Sequence, residues 1–403
     1  MPRLRANLDF MPSPVKDRPG LLIRDPFHYT DLTLIIPPAL VQCLHCFDGQ
    51  QTELDMQAVL VRVTGELQVG DLAKHLIDTL GDGGFLENES FERIREDRQR
   101  AFAEAPRRTA VHAGGAYPDE IDPLRATLER YIGTPGVDSA SDDLLGVAAP
   151  HVSPEGGWQS YRAAYKALAP AYKDRTFVVL GTSHYGEPER FGLTRKPFVT
   201  PLGETPVNLP MVNWLEQKAL PAILMEDYCH SVEHSIEFQV LFLQHVYGPQ
   251  IRILPILCGS YAQSIYVGGK PEADSNVDRF LNALGELADR EADRLFWVLG
   301  IDMAHMGRRY GDSFTAHADE GVMAEVTARD RGRIDCISAG DREGFWNLVQ
   351  EKRDDLKWCG SSPLYTFMKA VPQARGQLLH YEQWNIDEQS VVSFAGMAFS
   401  QGD

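Results

Sequence analysis

The chain reads as an α/β protein, a layered central sheet with flanking helices, preceded by a small N-terminal helical domain. Three observations carry that reading. Its 403 residues exceed what one ordinary domain holds, so two are expected. From residue 144 onward strand-like and helix-like patterns alternate to the end, the order of a layered α/β domain. Finally, four apolar runs each stop at a turn rich in polar, histidine or acidic residues. They are Leu144–Pro150 before His151, Thr176–Gly181 before Thr182-Ser183-His184, Ile251–Leu257 before Cys258-Gly259, and Leu295–Ile301 before Asp302 and His305. In an open parallel sheet the ligand crevice lies just beyond the carboxyl ends of the strands. Histidines placed there can converge on one point although they are far apart in sequence, which predicts a metal or acid–base site.

Composition narrows the function. Hydrophobic residues make up 43% and charged residues 24%, the balance of a globular protein. With 39 Lys+Arg against 57 Asp+Glu the net charge is −18, which argues against nucleic acid or an anionic membrane as the main partner. Met1-Pro2-Arg3-Leu4-Arg5 has no apolar signal core, and no run approaches the ~18 apolar residues of a membrane span. Six cysteines are scattered through the chain, unlike a disulfide framework, so a cytoplasmic protein is expected. Cys43 and Cys46 form a C-x-x-C without a second ligand pair. Leu40, Cys43, Leu44 and Phe47 repeat at helical spacing, which makes both cysteines buried thiols on a core helix.

In chain order, residues 1–20 hold four prolines and mixed charge and are read as an arm. Residues 21–95 read as helices with a β-wing: a short strand at Leu21-Leu22-Ile23, helices over Pro37–Phe47, Thr52–Val63 and Val69–Leu80, and a glycine turn into Phe85-Leu86. That outline is winged-helix-like. Asp48-Gly49-x-x-Thr52 and Ile77-x-x-Leu80 leading to Gly84-Phe85-Leu86-Glu87 resemble the small (PqqD-like) peptide-chaperone domain of quinone-cofactor biosynthesis. Lys and Arg are sparse in Thr64–Leu80, so DNA binding by this domain is not expected. Asn88–Ala105 is a charged helix with Phe91, Ile94, Arg98 and Phe102 on one stripe, and 96–106 is read as the connector to a domain over 107–403. There a helix is expected at Pro118–Ile132, a loop at 133–143, helices near 156–169, 233–247, 275–290, 315–330, 341–352 and 361–371, and a closing strand at Ser390–Phe399.

The turns carry the chemistry. His151 follows a strand and precedes Gly156-Gly157, and Ser183-His184 repeats the pattern of strand, small residues and histidine. In Glu233-His234-Ser235-Ile236-Glu237 the histidine opens a helix, with Glu237 one turn on. A lone histidine after a strand is more often a capping residue than a ligand, but four such turns in one domain change that weighting. Two imidazoles with a carboxylate or thiolate form a common shell for iron(II) or zinc. No glycine fingerprint, P-loop or Gly-x-Ser-x-Gly elbow points to nucleotide binding or a serine nucleophile.

These residues resemble a known family. His112-Ala113-Gly114-Gly115-Ala116-Tyr117-Pro118, Ala149-Pro150-His151, Gly181-Thr182-Ser183-His184, Glu233-His234-Ser235-Ile236-Glu237, Asp302-x-x-His305 and Cys359-Gly360 are similar, in order, to the motifs of the Memo family. The resemblance covers Arg107–Asp403 and implies the fold of the class III extradiol dioxygenases. It also implies that His151 and His184 bind a metal, iron(II) first and zinc or copper as alternatives. His234 is the acid–base group, and Asp302 and His305 complete or orient the shell. Tyr117, Ser183, Glu233 and Cys359 are candidate residues of the substrate pocket. The family position that supplies a third ligand is Ala304 here, which leaves three options: a neighbour such as His305 or Asp302 replaces it, binding is weak, or the metal is lost. The expected function is a metal-dependent redox enzyme with a small substrate. The alternative is a non-catalytic peptide- or protein-binding component, since bacterial relatives are associated with a radical-SAM enzyme and a small companion protein.

Overall fold

The computed structural model describes residues 1–133 and 143–402, so most of the loop expected over 133–143 lies outside the described residues. The chain divides into two compact units, Met1–Glu104 and Ala105–Asp403.

The first unit opens with an antiparallel meander of β1 (Asp9–Pro12), β2 (Leu21–Arg24) and β3 (Thr33–Ile36). A 3-10 helix follows over Pro38–Cys46, then α1 (Glu53–Thr64), α2 (Gly70–Asp82) and α3 (Glu89–Glu104). Thr52 starts α1 with a capping box: its hydroxyl accepts the Asp55 N–H, and the Asp55 carboxylate takes the Thr52 N–H. Cys43 and Cys46 are free, buried thiols on the 3-10 helix.

Residues 1–20 do not stand apart as an arm. The buried Arg5 guanidinium meets the Asp25 carboxylate through two bonds of 3.0 Å and donates to the Gly84 carbonyl. A buried charge needs such a partner, and meeting it draws the N-terminal strand into the unit. The expected wing at Gly84-Phe85-Leu86 makes only a single antiparallel bridge, Leu86 with Leu4, and the sheet is formed by residues that precede the helices. The helix containing residues 96–104 belongs to this first unit.

The second unit begins with α4 (Ile121–Ile132). It continues through β4 (Leu144–Ala149), α5 (Pro154–Lys166), β5 (Thr176–Thr182), β6 (Phe191–Leu193), β7 (Phe198–Thr200), β8 (Gly203–Thr205), α6 (Leu209–Ala219) and β9 (Ile223–Met225). After these come α7 (Glu237–Tyr247), β10 (Arg252–Cys258), α8 (Ala262–Val267), α9 (Ser275–Arg290), β11 (Leu295–Gly300) and β12 (His305–Gly307). The last elements are α10 (Val322–Ala339), α11 (Arg342–Gln350), α12 (Ser361–Ala370), β13 (Ala374–Asp387) and β14 (Ser390–Gln401). The sheet order is β12-β14-β4-β11-β5-β10-β6-β9, with β13 paired to β14. Its centre, β4-β11-β5-β10, is parallel, as the sequence predicts. The flanks are antiparallel where β14 joins β4 and β6 joins β10, so the whole sheet is mixed.

Helices cover this sheet, which is why β5 and β11 are buried at every position and β10 at all but its first. Each fully buried Val, Leu or Phe there contributes roughly 1.5–3 kcal/mol by leaving water. The parallel register also aligns the strand ends: Gly300 lies opposite both Ala149 and Gly181, and Gly181 opposite Leu257. The turns that follow therefore leave the sheet at one level.

One buried ion pair ties the segment before α4 to the turn before α7. Arg108 and Glu237, neither exposed, form a close pair, and Arg108 also donates to the carbonyls of His230 (2.8 Å) and Glu233 (2.7 Å). Glu237 accepts the N–H groups of Val111 and His112 and the Tyr117 hydroxyl. Burial alone would raise the Glu237 pKa, but Arg108, His112 and Tyr117 hold it below the ordinary glutamate value. Removing one partner of such a pair costs about 3–5 kcal/mol. Glu237→Gln is therefore expected to lower the denaturant stability of the protein by about that amount. Because the folded pKa is depressed, the Glu237 contribution is complete above the ordinary glutamate range and is lost as pH falls below it. The variant should thus lose part of the wild type's stability difference between neutral and acidic pH. A deficit below about 1 kcal/mol at pH 7 would refute this role for the pair.

Candidate metal centre

Three histidines from three turns meet above the aligned strand ends. One side-chain nitrogen from each of His151, His184 and His234 lies within 4.8 Å of the others. The ring centroids are 5.0, 5.1 and 5.0 Å apart, and the rings of His184 and His234 are parallel.

The local backbone explains the convergence. Glu233–Ile236 lies across the ends of β5 and β11, and glycine at both ends makes room for it. A Cβ on Gly300 would come within 2.1 Å of the Ser235 carbonyl, and one on Gly181 within 2.5 Å of Ser235 Oγ. Ser235 Oγ then donates to the Thr182 carbonyl, and Gln239 donates to the Pro150 carbonyl, so the turn is bonded to two strand ends. Expected to open a helix, His234 instead precedes α7 by three residues, in the turn held by Arg108.

Hydrogen bonds set the ring orientations. His151 Nδ1 lies 2.9 Å from the Gly300 carbonyl, an acceptor only, so Nδ1 carries the proton and Nε2 is left as the donor atom. His184 Nδ1 lies 3.1 Å from both oxygens of Glu233, and His234 Nδ1 lies 3.1 Å from one of them. Glu233 also accepts the N–H groups of His184, His234 and Ser235 at 3.0, 2.8 and 3.1 Å. Its burial would favour the neutral acid, but the two imidazoles and these bonds hold it ionised, well below the ordinary range. On the opposite side, Asp302 accepts the N–H groups of His151 (2.9 Å) and Val152 (3.2 Å), and its other oxygen lies 3.5 Å from His151 Nε2. His151 is closed off at 2% side-chain exposure, whereas His184 and His234 each show 27% and form the open face.

The electrostatics are those of a cation site. Burial disfavours charge on His151, yet Asp302 and Cys359 beside it raise its pKa to about 9. His184 is likewise raised, against burial, by Glu233 and Cys359. The Cys359 thiol, which burial alone would push up, is held well below its ordinary value by His151 and His305. His234 goes the other way: burial and the neighbouring His184 and His151 lower its pKa. One nitrogen from each ring lies within 4.8 Å of the others, close enough for the three to hold a metal ion. The donor set fits a metal ion.

The other predicted residues fall in distinct places. Glu233, read as a pocket residue, orients two of the donors. Asp302 orients the third. Cys359 Sγ lies 3.2 Å from His151 Nε2, beside the donors. His305 is outside the three-histidine group; its Nδ1 is taken by the carbonyls of Met303 (2.9 Å) and Lys357 (3.0 Å). The Tyr117 hydroxyl is spent on Glu237, and Ser183 packs against Gly186 and Cys229. His112, quoted in the opening motif but not read as a site residue, stacks edge-on against His234 at 5.6 Å and bonds the Val232 carbonyl. Ala304 is completely buried and its amide is tied to Ser393.

A model of Memo-like proteins matches residues 108–398. The chain belongs to the Memo-like protein family. A MEMO1 family protein of Aquifex aeolicus is 26% identical over 384 residues, 94% of this chain and 95% of that one. One from Methanopyrus kandleri is also 26% identical but uses 73% of this chain and 99% of its own. A third, from Methanococcoides burtonii, is 30% identical over 261 residues, covering 65% of this chain and 86% of the other. The Memo-like match starts at 108, just inside the second unit, and the long Aquifex match extends into the first. A crystal structure of an uncharacterized protein from Escherichia coli K12 aligns at a TM-score of 0.36 and 12% identity, covering 63% of this chain and 99% of that one. Among the described residues no helix is long and apolar enough to cross a membrane.

Removing a carboxylate that orients metal-ligating histidines costs about 10–100-fold in affinity. Glu233→Gln, which keeps the shape but removes the charge, is expected to weaken divalent-metal binding by that factor in a competition titration. Unchanged affinity would show that Glu233 does not orient the donors.

Proposed function

We propose that this Memo-like chain is a non-haem metal enzyme, with iron(II) held by His151, His184 and His234, carrying out redox chemistry on a small substrate. One observation carries the reading: three imidazoles from separate turns direct ring nitrogens to one place, and each has its Nδ1 engaged behind it. Imidazole donors suit iron, zinc and copper, and a shell of three protein donors leaves further coordination positions. A bound iron(II) would supply one-electron chemistry. The chain itself fixes the donors through Glu233 and Asp302 and excludes water behind His151. It leaves access from the side of His184 and His234, where a small substrate would approach.

Elemental analysis of protein purified without chelator tests the proposal. Stoichiometric iron is expected, falling to a trace in His151→Ala, His184→Ala and His234→Ala. Oxygen uptake or reductive turnover should depend on the iron. Metal content that is absent in the wild type, or unaffected by the three substitutions, would defeat the metal reading. Stoichiometric zinc with no redox turnover would defeat the redox reading alone.

A further inference from the structure

Another buried carboxylate lies behind the turn that carries Asp302. Asp330, on α10, is completely buried, and donors from three other elements point at it. Trp358 Nε1, just before α12, lies 2.7 Å from one oxygen. The hydroxyls of Tyr381 on β13 (2.7 Å) and Ser393 on β14 (2.6 Å) lie on the other. An indole N–H can only donate, and a carboxylate is the group that accepts all three bonds at once.

Two of the three donors lead to the Asp302 turn. With its proton committed to Asp330, the Ser393 hydroxyl presents a lone pair to the Ala304 N–H at 2.9 Å. The Ser393 backbone adds two bonds, N–H to the Ala304 carbonyl at 2.9 Å and carbonyl to the Met303 N–H at 2.8 Å. The segment around Trp358 holds the same turn: the Gly360 N–H donates to the Asp302 carbonyl at 3.0 Å, and the His305 N–H to the Leu356 carbonyl at 2.8 Å. A Cβ on Gly360 would come within 2.7 Å of the Asp302 carbonyl oxygen, so the two segments are in direct contact. Asp302 in its turn bonds the backbone of His151. The Tyr381 hydroxyl also takes the Gln383 amide at 3.3 Å and bonds to neither segment among the described residues.

We propose that Asp330 is a positioning residue of the metal centre. By accepting from Trp358 and Ser393 together, it locks the 302–304 turn against the 358–360 segment and so sets where Asp302 holds His151. It acts through these residues and not on the metal. This rests on the metal-binding reading above.

Cobalt(II) titration of the full-length protein tests it, read by visible ligand-field absorption beside thermal unfolding. Asparagine keeps the shape of Asp330 but offers one acceptor oxygen to three donors. Asp330→Asn and Ser393→Ala are each expected to bind cobalt about tenfold more weakly and to shift its bands. The double variant should lose little more than either alone, because both break one link. Tyr381→Phe removes a donor from the same carboxylate without reaching the turn. It should lower the melting temperature and leave the cobalt affinity and bands as in the wild type. Trp358→Phe, which keeps an aromatic ring and removes the N–H, carries the same test should Asp330→Asn not fold. Wild-type affinity and bands in the folded Asp330→Asn or Trp358→Phe protein would overturn the assignment and leave the three-histidine centre intact. An equal weakening in Tyr381→Phe would overturn it as well. No cobalt spectrum in the wild type would overturn both readings.

Discussion

The centre depends on one buried carboxylate. Glu233 is almost without exposure, and a bare charge there would be expensive to keep out of water. It is stabilised by three backbone N–H groups and by two imidazoles that share its oxygens. The same bonds fix the rings: His184 and His234 cannot both satisfy Glu233 unless they lie side by side, and they do, at 5.0 Å and nearly parallel. Electrostatic compensation and donor geometry are thus one arrangement. Arg108 extends it outward, since its guanidinium holds the Glu233 carbonyl while its charge is matched by Glu237.

The sheet supplies the common level on which this arrangement is built. Parallel register places Ala149, Gly300 and Gly181 side by side, and the missing side chains at two of them let the 233–236 turn lie across the strands. A larger residue at either glycine would have to push the turn, and the His234 ring with it, away from His151. The histidines come from different parts of the chain: His151 bonds the Gly300 carbonyl, and the turn that carries His234 bonds the Thr182 carbonyl through Ser235.

Much of this is legible in the sequence. The parallel core strands were readable because fully buried strands are continuous apolar runs, and the strand-end histidines follow from them. The closing strand β14 was legible too, but the short and mixed strands beside it were not. Strands β6, β7, β8, β9 and β12 are three residues each, too short for alternation to show, and β13 has a mixed, half-buried pattern with no period-two apolar face. Residues 1–20 looked like an arm because their prolines mask one short strand, and the bond that anchors them joins Arg5 to a residue 20 positions away. At the site, His234 was visible as a motif, but its place among the donors depends on Glu233 bonding two rings at once, a three-body relation that spacing does not encode. Cys359 is separated from His151 by 208 positions, and only the fold brings them together.

The position of Ala304 bears on how such a centre tolerates change. Its side chain is sealed in the core and its amide is fixed by Ser393, so a donor there would be held by β14. The histidine donors and Cys359 are held otherwise, by strand ends and by the start of α12. They meet the 302–304 turn through Asp302, whose side chain bonds the backbone of His151 and whose carbonyl accepts the Gly360 N–H. Loss of a donor at 304 therefore leaves the remaining shell mechanically intact. The cluster sets Glu233, held ionised, and the lowered Cys359 thiol beside His151 and His184, whose pKa values they raise, while burial lowers that of His234.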